Sequence, residues 1–261
     1  MIIEPNVLGS VFHKTAELFY LDFVKHGNPV ITPARLAPFL EPAADASLVF
    51  YVRRAMAEEQ VGENVLVEQI VKSFFKQLLR NDSKLGTFKI KGLETPRSLT
   101  FNVLVNGAVR QVELCGIIDR MDIVSDSTIN DGTETLRIVD YKTNGSMEQA
   151  LSMDALFTPG EKHPHYVLQT FLYALMVAPD VNSMPLMPTL FFVNKYGDKT
   201  FLPYIKYANE PLTDFAPLAK DFKFRLEKLL SEMLDEATPF KPTSVLQRCE
   251  NCNYRLLCYG K

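Results

Sequence analysis

Three consecutive segments, residues 94–106, 110–124 and 134–142, are rich in β-branched residues and divided by an Asn-Gly and an Asn-Asp-Gly signal. That pattern calls for an antiparallel meander, and it lies between long stretches of helical period. Upstream, Leu8, Phe12, Thr15, Phe19 and Phe23 recur on one stripe over residues 6–25, with Gly27 as the stop. Thr32 and Pro33 begin a short helix in a proline-rich stretch. Residues 46–59 and 63–80 also have a helical pattern, the latter with Val67, Ile70, Val71, Phe74 and Leu78 on one apolar face. Downstream come a helix at 163–178, strands near 189–195 and 200–207 joined by a Gly197-Asp198 turn, and an amphipathic helix at 214–236. This order predicts an α/β fold in which a central mixed β-sheet is flanked by helices. No repeat or low-complexity linker divides the 261 residues, so a single domain is expected over 1–261, with 241–261 as a cysteine-rich tail.

Charge narrows the function classes. The 28 basic and 31 acidic residues leave a formal charge of −3, which excludes a generally basic nucleic-acid coat but leaves room for a local positive groove. The start has no basic segment leading into an apolar core, and the longest apolar stretch is broken by Gln169 and Thr170. It falls short of the roughly 20 residues a bilayer span needs. A cytoplasmic protein without a membrane partner is expected.

The densest chemical signal lies in two neighbouring strands. In the first, alternation puts Cys115, Ile117 and Asp119 on one side and Ile118, Arg120 and Asp122 on the other. The second ends with Asp140 and Lys142 on one face and Tyr141 on the opposite one. Paired, the strands bring Asp119 towards Asp140 and Lys142. Two carboxylates so placed repel unless a cation lies between them, and Mg2+ or Mn2+ answers that with its preference for oxygen ligands. Such an ion polarises a phosphoryl oxygen, and a lysine beside it offsets negative charge in the transition state. By spacing alone, a solvated Asp–Lys pair is an equal alternative. Further residues fit the metal reading: His13, one turn after Gly9, as a third ligand, and Gln169 and Tyr173, four apart on one helix face.

Taken in order, Gly9-x3-His13, the Gly116–Asp122 segment GIIDRMD, the Asp140–Thr143 segment DYKT and Gln169-x3-Tyr173 resemble the motifs of the PD-(D/E)xK nuclease superfamily. The similarity is to its RecB-type branch, which includes the nuclease domains of helicase-nucleases and CRISPR-associated exonucleases. The resemblance implies a restriction-endonuclease-like core and metal-dependent DNA cleavage. It assigns Asp119, Asp140 and His13 to the metal, Lys142 to the transition state, and Gln169 and Tyr173 to the site. It also implies an exonuclease of DNA repair or recombination. The alternative is a non-catalytic nuclease-fold module that binds DNA or scaffolds a repair complex. A zinc-stabilised interaction domain is a more distant third. Glu94 resembles in position the acid that opens the preceding strand in relatives, but is expected here as a strand-edge charge.

DNA needs positive charge near the acids. Lys72, Lys76 and Arg80 form a ridge on the fourth helical segment, read here as a solubilising face, and Arg248, Arg255 and Lys261 form a smaller patch. Cys249-x2-Cys252-x5-Cys258 has the spacing of thiolate ligands for zinc or iron–sulfur. The resemblance implies a [4Fe–4S] cluster completed by a cysteine ahead of the first helix. No cysteine precedes Gly9, so an incomplete or absent cluster is expected, in a chain read as a fragment that lacks a helicase domain or subunit. Cys115 is expected in the core beside the active site.

Overall fold

The computed structural model describes residues 5–25, 27–125, 131–160, 163–194, 204–239, 241–243, 245–250 and 252–259. Helices α1 (Pro5–Lys25), α2 (Pro33–Leu40), α3 (Asp45–Glu58) and α4 (Val65–Leu85) come first. Their ends follow local chemistry. The Thr32 side chain accepts from the Arg35 N–H at the start of α2, and the Asn64 side chain accepts from the Leu66 and Val67 N–H groups at the start of α4. The last cap explains why α4 begins two residues later than its apolar period suggests.

A five-stranded mixed sheet has the order β1-β2-β3-β4-β6, with β1 at Val30–Ile31, β2 at Phe88–Val105, β3 at Ala108–Val124, β4 at Thr135–Lys142 and β6 at Leu186–Phe192. The first four strands are antiparallel neighbours and β6 runs parallel to β4. A parallel pair needs a long crossover; it contains β5 (Gln149–Ala150), α5 (Met153–Phe157) and α6 (His165–Val177). The expected strand after β6 is different. The Gly197-Asp198 turn lies outside the described residues, and β7 (Lys206–Tyr207) joins β5 and β8 (Glu210–Pro211) in a separate small sheet. Helix α7 (Ala216–Leu234) packs on β2, and a short α8 (Arg255–Tyr259) ends the tail.

Each face of the sheet has its own core. Helices α1 to α4 bury Phe12, Phe19 and Phe75 with Val139 and Tyr141, whereas α6 and α7 bury Phe171 and Phe222 with Ile118 and Ile138. Strand β4 alternates regularly between them, so Asp140 and Lys142 face α6. Strand β3 does not. Ile118 packs on the α6 side, yet the Arg120 guanidinium stands over the Tyr20 and Phe88 rings of the α1 side, and Met121 returns to the α6 side. The strand therefore rolls over at Asp119. Opposite it on β2, between the pairs Leu93–Arg120 and Thr95–Ile118, Glu94 holds a φ of +40°. A non-glycine residue rarely adopts that conformation, and it persists only where the surroundings impose it.

Beyond this roll the β2–β3 hairpin extends as a two-stranded arm. One face lies under α7; the other is open, and Cys115 is exposed there. The expected core position of Cys115 is thus corrected: the thiol is exposed, and among the described residues no helix covers that face of the arm.

The α1-side core also encloses a charge network. Arg120 makes two hydrogen bonds to Asp82 of α4, at 2.7 and 2.8 Å, and Tyr20 donates to the same carboxylate. Arg137 makes two to Asp122, at 2.7 and 2.9 Å, and the Arg120 Nε lies 2.9 Å from Asp122 Oδ2. All four charged residues are fully buried. Two cations and two anions cancel, which is what makes such burial tolerable.

Candidate active site and metal centre

The acids come from three adjacent strands. The β3–β4 ladder ends at Arg120–Val139, so Asp119 and Asp140 are the next residues, where the strands part. The Tyr141 N–H donates to Asp119 Oδ2 instead, at 2.6 Å. From α1, His13 places Nδ1 3.1 Å from Asp119 Oδ1 and 3.9 Å from Glu94 Oε1. Its ring is held edge-on against Phe12 and Tyr141. His13, Glu94 and Asp119 each offer one ligand atom, and these atoms lie within 4.8 Å of one another.

The opposite wall comes from α6. Lys142 Nζ lies 2.6 Å from Asp140 Oδ2 and donates to Gln169 Oε1 at 2.9 Å. Gln169 Nε2 in turn donates to the Tyr173 hydroxyl at 3.0 Å. The Tyr173 ring lies so close over Gly116 that a β-carbon there would stand 2.6 Å from Tyr173 Cε1. The glycine three residues before Asp119 is therefore a seat for the tyrosine. Gly9 has no such duty, because a β-carbon there would make only an ordinary 3.7 Å contact with Thr143.

The electrostatics describe a cluster with too much negative charge. Burial, and then the Asp119 charge, push the Asp140 carboxyl up to about 7 against the pull of Lys142. Burial and Asp119 raise Glu94 to about 7 as well. Burial acts to lower His13, but the Asp119 carboxylate, helped by Glu94 and Asp140, leaves it above its ordinary value. Tyr173 is pushed up to about 12 by burial and by Asp140. One imidazole nitrogen and at least two carboxylates suit a hard divalent cation, and its charge would relieve their repulsion.

All six residues expected at the site, His13, Asp119, Asp140, Lys142, Gln169 and Tyr173, come together. Asp140 stands in an ion pair with Lys142, outside the three-residue ligand group. Glu94 corrects the expectation of a strand-edge charge: it is part of that group. A signal for it is present in the sequence. Counting outward from the two-residue turn Asn106-Gly107, where Val105 pairs with Ala108, sets residue 94 opposite residue 119.

Other expected features are not at the site. Lys72 and Lys76 both bind Asp45, tying α4 to α3, so much of the proposed ridge is spent within the fold. Among the described residues no cysteine belongs to a metal-holding group. Cys249 is half-buried, Cys252 and Cys258 are exposed, and an iron–sulfur cluster has no support in the arrangement. Lys261 of the second basic patch lies outside the described residues. No described helix is long and apolar enough to cross a membrane.

A mixed sheet with acids and a lysine at the parting of its central strands, and helices on both faces, defines the restriction-endonuclease-like fold class. Residues 3–259 match the family model of the PD-(D/E)XK nuclease superfamily, and the chain belongs to that superfamily. Its members are generally nucleases that use divalent metal ions. No curated protein matches the chain closely.

Proposed function

We propose that this chain is a RecB-type nuclease domain that hydrolyses DNA phosphodiester bonds, acting as an exonuclease in repair or recombination, alone or fed by a helicase partner. The observation that carries the reading is the meeting of His13, Glu94 and Asp119 beside the Asp140–Lys142 pair. His13, Glu94 and Asp119 would hold Mg2+ or Mn2+, with Asp140 joining them. When bound, the ion supplies positive charge against the phosphodiester and polarises it.

The chain's own groups do the rest. Lys142, aimed by Gln169 and Asp140, offsets charge gathering on the phosphoryl oxygens and orients the attacking water. Tyr173 fixes Gln169, so the lysine is preorganised before substrate arrives. With Lys72 and Lys76 already paired, contacts to DNA fall on the backbone near the site and sequence preference is weak.

The test is cleavage of end-labelled single- and double-stranded DNA in Mn2+, Mg2+ or EDTA. Metal-dependent cleavage is expected, and the product ladder gives polarity. Glu94→Gln is expected to weaken metal binding in calorimetry by about tenfold or more, as loss of a charged ligand should. DNA binding without cleavage in any metal would overturn the reading in favour of the non-catalytic module.

A further inference from the structure

Linked to Lys142 through Tyr166 and His165, an open cleft of about 840 Å³ runs between the 146–151 segment, the start of α6 and Arg248 of the tail. That is within the range of small-ligand sites, roughly 300–1,000 Å³. Its walls combine exposed apolar side chains, Met147 and Leu151, with an aromatic ring and a cation. The aromatic ring is His165, which is 57% exposed.

His165 is held in place on its inner side. Its ring rests on Tyr166 with centroids 4.0 Å apart, and its Nδ1 lies 3.1 Å from Glu148 Oε1. The other oxygen of Glu148 accepts from the Tyr166 N–H at 2.9 Å. One carboxylate thus fixes both the ring and the first turn of α6. Tyr166 in turn is backed by Gly145, donates its hydroxyl to Asn144, and has Lys142 Nζ 4.8 Å from its ring centroid. An unbroken line of contacts leads from Asp140 through Lys142 and Tyr166 to His165. Across the cleft, Arg248 uses one N–H to hold Gly160 O at 3.1 Å, and a guanidinium has five such donors.

We propose that this cleft holds the nucleotide next to the scissile phosphate, its base stacked on the outer face of His165 and its phosphate met by Arg248. The occupant follows from chemistry and position. A fixed ring with one open face accepts any base, because every base has a π-face. A cation opposite suits a phosphate. The stack is continuous with the lysine that faces the reacting phosphate. An unpaired base is required, since a paired one is stacked within its duplex, so the substrate at this point is single-stranded. This inference rests on the nuclease reading and adds the form of the substrate and a positioning residue.

The test measures binding of the full chain in EDTA, where cleavage is not expected, to a single-stranded thymidine oligonucleotide carrying one 2-aminopurine at successive positions. Quenching at one position is expected in the parent, with loss of it and about 5- to 100-fold weaker binding in His165→Ala. An abasic site at that position should weaken the parent equally and the variant less than twofold. His165→Phe should restore both signals. Unchanged affinity in His165→Ala, a full abasic cost retained there, no quenching at any position, or no rescue by Phe would overturn the stacking. Cleavage by the parent in Mn2+ alongside any of those results leaves the nuclease reading standing. Absence of cleavage with the expected binding pattern overturns the nuclease reading alone.

Discussion

Replacing Asp140 with asparagine tests the electrostatics of the centre, because the change keeps the shape and removes one charge. Asp140 is 3% exposed, and its carboxyl is raised from 3.8 to about 7 by burial and by Asp119. Since the folded value lies above the unfolded one, the folded chain keeps a proton that the unfolded chain releases between these values. Stability from this group is complete below about pH 4 and is lost as the pH rises to 7. At about 1.4 kcal/mol for each tenfold, the anion costs about 4 kcal/mol at pH 8 and about 2 kcal/mol at pH 5. Asp140→Asn should therefore be more stable than the parent by those amounts in EDTA, while losing metal-dependent cleavage. The chain has no tryptophan, so urea unfolding followed by circular dichroism is the assay. A variant less stable than the parent at pH 8, or one whose gain is the same at both pH values, would refute the reasoning.

Three more outcomes are expected. Adding Mn2+ should raise the thermal midpoint more at pH 8 than at pH 5.5, because Glu94 and Asp140 hold protons below about 7; equal shifts in scanning calorimetry would count against a carboxylate metal site. Gly116→Ala should drive the Tyr173 ring off its seat, costing about 1–3 kcal/mol of stability and most of the turnover at unchanged metal affinity. Turnover like the parent's would show that the Tyr173–Gln169 relay does not position Lys142. Arg137→Met should cost about 3–5 kcal/mol, because Asp122 loses a fully buried partner; a loss under about 1 kcal/mol in urea would mean that the network is not held as a closed set.

Much of the fold is legible in local pattern. The stripe through Phe12 and Phe19 marks α1, and the alternation through Ile138 and Val139 correctly orients Asp140 and Lys142, because β4 is regular and covered on both faces. The errors gather where β3 rolls over. Alternation is a rule for a strand that keeps its faces, and it cannot carry across a residue where they exchange. Cys115 therefore reads as core although it is exposed, and alternation sets Arg120 and Asp122 on the face of Ile118 although Arg120 lies across the sheet from it, over Tyr20 and Phe88. Glu94 was within reach through hairpin counting, but the strand limits inferred from composition, 106 and 110, leave too long a turn for that count to work. The separate pairing of β7 has no local signal, since two residues form the whole strand.

The network of Asp82, Arg120, Asp122 and Arg137 joins three parts of the chain that are far apart in sequence, α4, β3 and β4. Its members are interdependent, so they are inherited as a block. A chimera that takes β3 from a relative with different residues at 120 and 122, but keeps this chain's α4 and β4, would inherit half of a lock. Domain grafting and recombination libraries built on this scaffold should therefore place no crossover between residues 82 and 137 unless all four positions agree in both parents. The clustered acids Glu94, Asp119 and Asp140 lie within that interval or just past its end, so the constraint also limits how far the candidate site can be exchanged piece by piece.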